Sequence, residues 1–224
     1  TTKEIENPTR TGYTFAGWYD ESGVLVSSDA HALVSVDAMP TFIAKFKIAK
    51  PTLEPDISWY EQDKNAATFS ISTGNQLLGL ANLVNSGTSF ENKIIDLNAD
   101  IDLTHCANWI PIGTENRPFK GKFFGNGHVI SNLTVIQPEM TGVGLFGTVY
   151  GQSEVCGVGI LNFTIVGNNN VGSLVGFAES RSLGAIVSEC LAYNGTVAGN
   201  YSVGGLIGGG DGTLIISCMV VSVD

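Results

Sequence analysis

The side chains best suited to bind a metal ion stand close together near residue 100. Oxygen-bearing residues alternate there with apolar ones, and the oxygen-bearing set is Asp96, Asn98, Asp100 and Asp102. Alternate side chains of a β-strand point to one face, so this pattern predicts a strand with a carboxylate-rich face. Ca²⁺ takes about six to eight oxygen ligands, but no glycine-rich calcium loop accompanies these acids. We therefore predict the solvent side of a half-buried strand, with Asp96, Asp100 and Asp102 as weak candidates for a cation site and no cofactor.

A second group that could bind a ligand is the adjacent aromatic pair Trp59–Tyr60. The pair lies within residues 51–66, where Pro55 and several charged residues are typical of an exposed connector between domains. Exposed Trp and Tyr side chains offer a ligand a flat apolar surface with a polar tip. The same pair could instead pack between the two domains, and the sequence favours that use.

The sequence lacks the side-chain combinations that hydrolytic enzymes use. His31, His105 and His128 are far apart, and neither a zinc-protease helix motif nor a G-x-S-x-G motif is present. Glycan cleavage needs paired carboxylates, or a base with a cationic partner, yet Arg181 is the single basic residue after Lys122. We therefore predict a protein that is not an enzyme.

Three of the four cysteines stand at similar positions of a sequence repeat: Cys156, Cys190 and Cys218. Stacked strands lie about 4.8 Å apart with parallel side chains, a geometry that suits disulfide bonds poorly. No two cysteines are close neighbours in the sequence, which argues against a zinc site. We predict that these thiols are reduced and line the interior as small apolar side chains.

Asparagines also recur, and several of them match the N-x-[S/T] pattern of glycosylation: Asn132, Asn162, Asn194 and Asn200. All but Asn200 precede a predicted strand at a similar place in the repeat. Asparagine tolerates the left-handed backbone conformation that tight turns require. We therefore predict turn asparagines, stacked from one repeat to the next, which account for the pattern without sugar.

The net charge of the chain is −10, with 21 acidic residues against 11 basic ones. Nucleic acids and anionic lipid surfaces bind clustered Lys and Arg, so the sequence excludes both as partners. The uncharged run 155–178 is long enough to consider a membrane span, but it is rich in Asn and Gly. These residues are unfavourable in a helix that faces hydrocarbon, so we predict no membrane insertion by this segment.

A short glycine-containing phrase that occurs three times predicts the elements that position these groups. Its copies are G-L-F-G at 144–147, V-G-S-L-V-G at 171–176 and V-G-G-L-I-G at 203–208. Its closing glycines stand at positions 147, 176 and 208, and are therefore 29 and 32 residues apart. A fixed period of this length, with strand-length apolar runs between the phrases, indicates stacked coils. We predict an all-β fold, a parallel β-helix that is right-handed because parallel crossovers have that hand.

The two ends of this β-helix are expected to differ. Leucines and valine recur at helical spacing over residues 77–84, Thr73 or Asn75 could cap the helix start, and Gly87 could end it. A short amphipathic helix before a run of strands is typical of a solenoid cap. The chain finishes in the apolar strand S-C-M-V-V-S-V-D, so we expect either further coils beyond it or end-to-end self-association through the C-terminal coil.

The phrase V-G-x-L-x-G, followed by an I-x-x-C strand, resembles the GLUG motif of bacterial surface proteins. The phrases D-I-D-L, W-I-P-I-G and F-x-G-x-F-x-G-N-G-H-x-I are similar to entry coils that precede GLUG repeats. They extend the resemblance back to about residue 67. It implies a β-helix over residues 67–224, in which His128 has a structural place at a tight turn.

Residues 1–50 resemble a different family, the Listeria–Bacteroides repeat of the B-repeat type found in internalin-like surface proteins. The resemblance rests on a strand-like aromatic run and a second strand, with these residues: Pro8, Gly12, Tyr13, Phe15, Gly17, Trp18, Tyr19, Met39, Pro40 and Ala44. It implies a small β-grasp-like unit whose aromatic residues form a core. The family's first strand precedes the proline, and only seven residues precede Pro8 here, so we expect that strand to be missing or replaced.

The expected order is therefore a small β unit at 1–50, a linker at 51–66 and a β-helix at 67–224. The resemblances imply an extracellular, secreted or surface-displayed, adhesin-like module that acts as a spacer and a binding surface. Its partner would be a host or bacterial surface protein or glycan. Two alternatives remain open: an accessory domain of a large secreted protease or glycan-degrading enzyme, and a carbohydrate-binding module that uses exposed aromatic residues.

Overall fold

The computed structural model describes residues 2–4, 8–10, 13–31, 33–35, 41–48, 52–107, 109–180 and 184–224. The chain divides into two compact units, Thr1–Pro51 and Thr52–Asp224. Gly12, Met39, Pro40 and Arg181, on which some of the expectations above rest, lie outside the described residues.

The first unit is a small antiparallel β structure. Its strands are β1 (Thr2–Glu4), β2 (Tyr13–Tyr19), β3 (Leu25–Ser27), β4 (Leu33–Ser35) and β5 (Ile43–Ile48). Strand β2 lies between β3 and β5, and β1 pairs with β4. We expected the family's strand before Pro8 to be missing or replaced; a short strand, β1, is present there and pairs with β4.

Aromatic side chains form the core of this unit, as predicted. Trp18 is 6% exposed, and Phe15, Phe42 and Ala44 pack around it. Gly17 sits at a shift in the β2–β5 register with a φ of +143°. A Cβ there would lie 2.5 Å from Leu25 Cδ1, so both the backbone and the space require glycine.

The second unit contains the remaining elements. They are α1 (Ser58–Glu61), β6 (Thr68–Ile71), α2 (Gly74–Asn85), β7 (Ile94–Leu97), β8 (Ile101–Asp102), β9 (Lys122–Phe124), β10 (Val129–Ser131), β11 (Thr134–Ile136), β12 (Thr141–Val143), β13 (Phe146–Tyr150), β14 (Glu154–Cys156), β15 (Gly159–Val166), β16 (Asn169–Gly172), β17 (Val175–Glu179), β18 (Ile186–Ser188), β19 (Leu191–Ala198), β20 (Tyr201–Gly204), β21 (Ile207–Asp211), β22 (Leu214–Ile216) and β23 (Met219–Val223).

These strands stack into a parallel β-solenoid of about five turns, which confirms the predicted fold class. One six-stranded sheet runs β6–β7–β9–β14–β18–β22, and a second sheet runs β8–β10–β15–β19–β23 with β11 beside β15. Two three-stranded sheets, β12–β16–β20 and β13–β17–β21, complete the wall. Each strand therefore pairs with its counterpart one coil away, and residues such as Asn162 and Asn194 meet across 32 positions.

The interior is filled by apolar side chains in register. One inward-facing column of the six-stranded sheet consists of Phe69, Ile95, Phe123, Val155, Val187 and Ile215. Exposure stays at or below 5% from Phe69 to Val187 and reaches 55% at Ile215. A coil thus buries its inward side chains only when a neighbour stacks on it.

The coils turn at residues in left-handed conformation. One corner carries Asn132, Asn162, Asn194 and Ser222, with φ between 52° and 60°. Asn194 Nδ2 donates to Asn162 Oδ1 at 2.7 Å, and Asn200 Nδ2 donates to Asn168 Oδ1 at 2.9 Å. The bond between Asn162 and Asn194 confirms the predicted stacking of turn asparagines, which accept the left-handed region more readily than most residues. Asn168 and Asn200 stack in the same way without a left-handed backbone.

Helix α2 closes the first coil, as predicted. Thr73 Oγ1 accepts the Gln76 backbone N–H at its start. Its inward side is fully apolar, with Leu77, Leu80 and Val84 all at 0% exposure. Gly79 lies against the segment before α1, where a Cβ would come 2.0 Å from Asp56 O.

Residues 52–66, expected to be an exposed linker, belong to this cap instead. Asp56 N donates to Asn75 O at 2.9 Å, and Leu53, Trp59 and Tyr60 pack against the solenoid core. The linker prediction was based on the proline and charged residues of this segment. The apolar residues between them instead cover the end of the core.

Candidate functional site

The acidic residues near position 100 lie on two strands with a corner between them, not on one strand. Asp96 is in β7, Asp102 is in β8, and Asp100 is in the turn that joins them. The predicted alternation of inward and outward side chains holds through this corner: Leu97 and Ile101 are buried, whereas Asp100 and Asp102 are exposed. The outward acids therefore follow the corner around the solenoid.

Each of these acids accepts hydrogen bonds from the next coil. Asp100 Oδ1 accepts the Val129 backbone N–H at 3.0 Å and lies 3.0 Å from His128 Nδ1. The bond from Val129 N–H, followed by that from His128, lowers the pKa of Asp100. Such bonds stabilise the charged carboxylate. They also link the coil that contains Asp100 to the next coil.

Asp102 has the same role one step further along the corner. Its Oδ1 accepts from Asn132 Nδ2 at 2.7 Å and from Thr104 N at 2.9 Å. The Asn132 side chain is the main cause of the lowered pKa of Asp102. Asp96 Oδ1 accepts from Asn126 Nδ2 at 3.3 Å. Within the described ranges, no three His, Cys, Asp or Glu side chains lie where they could hold a metal ion together.

Trp59 and Tyr60 lie in α1 and take part in an aromatic cluster at the capped end. The Trp59 ring centroid is 5.4 Å from that of Phe69 and 6.0 Å from that of Phe90. Trp59 Nε1 donates to Asp56 O at 2.9 Å, which satisfies the indole N–H. Both side chains are half-buried against the solenoid core, so the pair acts as packing at this end.

The cysteines do not form the single column that their spacing predicted. The β14–β18 register pairs Cys156 with Ser188, two positions before Cys190. Cys156 shares the outward side of β14 with Glu154 and is half-buried, which corrects the predicted interior position. Cys190 and Cys218 do stack, and Cys190 is buried, whereas Cys218 in the last coil is half-buried. None of the four is in a disulfide bond.

A groove that the sequence did not reveal runs along the solenoid at the start of the six-stranded sheet, with both polar and apolar side chains in its lining. We call it the axial groove, and it consists of three adjoining depressions of about 300, 360 and 390 Å³. Lys120 lines the first and second depressions, and Lys122 and Gln152 line the second and third. Adjoining depressions therefore share lining residues, and the name axial groove covers all three.

The floor of the third depression is a single register column. Lys122 pairs with Glu154, Glu154 with Ile186 and Ile186 with Leu214 on successive strands. At about 4.8 Å per strand, this floor extends about 14 Å along the solenoid. Lys122 Nζ donates to Glu154 Oε2 at 3.0 Å across the strands.

The second depression carries a looser ion pair and an aromatic wall. Lys120 Nζ is 3.9 Å from Glu91 Oε2 and 5.4 Å from the Tyr150 ring centroid. The sequence contains one signal for the groove: Lys122 and Glu154, which have opposite charges, are 32 positions apart, about one coil. Detecting it requires the coil register, which spacing of the glycine phrases alone does not supply.

Comparison with known proteins gives a family match at the start of the chain. A model of the family described as the Listeria-Bacteroides repeat domain matches residues 1–45. Halomucin from Haloquadratum walsbyi is 43% identical over 58 residues, which is 26% of this chain and 1% of Halomucin. The chain therefore spans a very small part of that relative.

A solved structure from Bacteroides ovatus, provisionally named an immunoglobulin A1 protease, aligns with this chain at a TM-score of 0.41 and 16% sequence identity. The alignment covers 69% of this chain and 64% of the Bacteroides ovatus chain. In the described part of the chain, no helix is both long and apolar enough to cross a membrane.

Proposed function

We propose that this chain is a non-catalytic, adhesin-like module of a secreted or cell-surface protein, serving as a spacer and a binding surface. The observation that carries the proposal is the Listeria-Bacteroides repeat match at residues 1–45 in the same chain as a parallel β-solenoid. The partial similarity to Halomucin is consistent with it. The coils are of the GLUG type in this proposal, on the strength of their repeated V-G-x-L-x-G phrase.

The solenoid has the physical properties of a spacer. Each coil adds about 4.8 Å along the axis, and its apolar columns resist bending because neighbouring coils share one core. The outward side is rich in small polar residues and carries little positive charge. Such a surface stays hydrated and avoids non-specific binding to nucleic acids or anionic membranes.

Two measurements test this proposal. An antibody against the solenoid should label intact source cells, or detect the protein in their medium, without permeabilisation. Beads that carry the 224-residue chain should bind host or bacterial cells more than beads that carry Ile95→Asp, which places a charge in the core and unfolds the coils. Labelling that requires permeabilisation, or equal binding by both beads, contradicts the proposal.

The non-catalytic part of the proposal has its own test. The purified chain should leave a broad panel of peptides and polysaccharides uncleaved. Turnover of any of them that disappears on replacement of one acidic residue, such as Glu154→Gln, would show that the module is an enzyme.

A further inference from the structure

We propose that the axial groove binds an acidic polysaccharide, a chain of sugar units that carry carboxylates. This inference rests on the proposed function, because it assigns the binding surface of the module to one place and one class of ligand. The residues that define the place are Lys120, Lys122, Tyr150 and Gln152.

The distribution of charge points to an anionic ligand. The described part of the second unit contains few basic side chains, and they are Lys64, Lys93, Arg117, Lys120 and Lys122. Arg117, Lys120 and Lys122 line the groove together with two carboxylates, those of Glu91 and Glu154. Three basic side chains against two acidic ones leave the groove with one excess positive charge, although the chain as a whole has a net charge of −10. A cationic site on an otherwise acidic surface attracts an anion locally and repels it elsewhere, which directs a ligand to the groove.

Lys120 is free to exchange its partner. Glu91 is 3.9 Å away and its side chain is 64% exposed, so this ion pair contributes little to stability. A ligand carboxylate can replace Glu91 at the ammonium group with little loss. Lys122 is held more closely by Glu154 at 3.0 Å, so its role is to position that acid as an acceptor for ligand hydroxyls.

The other polar groups suit a ligand rich in hydroxyls. The amide side chains of Asn92 and Gln152 each offer donors and an acceptor, and Glu154 offers acceptors. A sugar hydroxyl both donates and accepts, so it can use such mixed groups fully. The Tyr150 ring supplies an aromatic wall for the apolar side of a sugar ring.

The shape of the groove favours a linear polymer over a small molecule or a peptide. The groove continues through three depressions, and Gly151, Gly184 and Gly212 keep its lining free of side chains at three points. Strands β9, β14 and β18 of the floor are hydrogen-bonded on both edges, so within the described residues an added peptide strand could pair only with the outer edge of β22, at one end of the groove. A polysaccharide needs no such edge.

Binding of the full 224-residue chain to immobilised polygalacturonate, alginate and hyaluronan tests the proposal. Fully methyl-esterified polygalacturonate is the neutral counterpart of the first probe, and poly-L-glutamate is an anion without sugar. We expect binding to at least one acidic polysaccharide, at least about tenfold tighter than to either control, because a charge-assisted hydrogen bond contributes about that much.

Matched variants locate the site. Lys120→Gln should weaken binding about tenfold or more, and Gln152→Ala should weaken it less. Lys64→Gln removes the same charge from an exposed residue that does not line the three depressions, and should leave binding unchanged. Circular dichroism melting of each variant controls for folding.

Three outcomes overturn the proposal: no binding to any of the acidic polysaccharides, equal binding to either control polymer, or equal loss in Lys120→Gln and Lys64→Gln. If the bead assay above still shows attachment to cells, the module binds cells by another surface. If the intact-cell labelling fails, the proposed function fails whatever the groove binds.

Discussion

The two ends of the solenoid differ in how far they bury the same column of side chains. Ile95 and Ile215 have the same side chain and the same inward orientation in the six-stranded sheet, yet Ile95 is 0% exposed and Ile215 is 55% exposed. Near Ile95, the first coil and the helices cover the core, whereas within the described residues nothing stacks on β22. Burial in this fold is therefore a property of the neighbouring layer and not of the strand itself.

The cap achieves this burial with side chains different from those of the last coil. Aromatic rings of Trp59, Tyr60, Phe69 and Phe90 contact one another with centroids 5.4–6.1 Å apart. Large rings cover a core of irregular outline with few residues, and α2 covers the rest. The last coil exposes aliphatic side chains such as Leu214, Ile216 and Val220 instead.

The sharpest way to break this comparison is to truncate the matched isoleucines. Ile95→Ala should lower the free energy of unfolding by about 2–5 kcal/mol, because it leaves a cavity in a closed core. Ile215→Ala should lower it by less than about 1 kcal/mol, because its side chain is already half in water. Urea titrations followed by circular dichroism measure both values. An equal loss would mean that the last coil is covered in solution, as self-association through this coil would do.

Thiol labelling compares an interior coil with the last coil in the same column. Burial raises the pKa of Cys190 to about 12, and the thiolate is the reactive form. Cys218 is half-buried, so we expect a maleimide to modify it at least about 100-fold faster than Cys190 at pH 8. Peptide mapping by mass spectrometry assigns the labelled positions. Rapid modification of Cys190 in the native protein would show that the coils around it open.

Removing the N-cap side chain of α2 should weaken the covering of the core at the first end, which then resembles the uncovered last coil. Thr73→Ala removes the hydroxyl that accepts the Gln76 backbone N–H and should cost about 1 kcal/mol. Thr73→Ser keeps an acceptor at the same place and should retain most of the stability. In the alanine variant, the hydrogen-exchange rate of α2 amides should rise more than that of β18 amides. Simultaneous exchange of both elements would instead indicate that the cap and the coils unfold as one unit.

The smallest expected effect is a dependence on acid at the capped end. The pKa of Asp102 is lowered in the folded state, chiefly by the bond from Asn132. Its contribution to stability is therefore present above the ordinary aspartate pKa of 3.8 and is lost as pH falls through the folded value. The group is largely exposed, so we expect less than about 1 kcal/mol. Asp102→Asn should flatten this part of the stability–pH curve between pH 5 and about pH 2.

Asn132→Gly is the matched variant for this acid effect. It removes the donor to Asp102 but keeps the left-handed turn, where Asn132 has a φ of 60°. It should flatten the curve in the same direction as Asp102→Asn but less completely, because Thr104 N still donates to Asp102 Oδ1. An unchanged acid dependence in both variants would assign the effect to other carboxylates.

Much of the fold is readable from local pattern. The recurrence of V-G-x-L-x-G indicates the coils, the alternation of Ile95 and Leu97 with polar residues indicates the inward face, and the leucines after Thr73 indicate the capping helix. The turn asparagines were predictable because left-handed corners restrict residue choice strongly. Each of these signals lies within a few neighbouring residues.

Other features depended on how coils of unequal length align. Cys156 and Cys190 follow similar phrases, but the pairing of β14 with β18 places Cys156 opposite Ser188. The left-handed backbone at Glu189 then lets the chain turn between outward Ser188 and buried Cys190. Register between coils is set by contacts across about 30 residues, so loop lengths shift it without altering the local pattern.

The sequence by itself therefore determined the stacked β architecture, the inward apolar face and the helical cap, because these follow from local periodicity and turn chemistry. Tertiary structure alone decided that Trp59 and Tyr60 close the core, that Asp102 joins Asn132, and that Lys120, Tyr150 and Gln152 line one groove. Contacts such as those of Asp102 with Asn132 and of Lys120 with Tyr150 join residues about 30 positions apart, which meet only through coil register. Contacts of this kind are set by the packing of whole layers, and no short segment contains the information that specifies them.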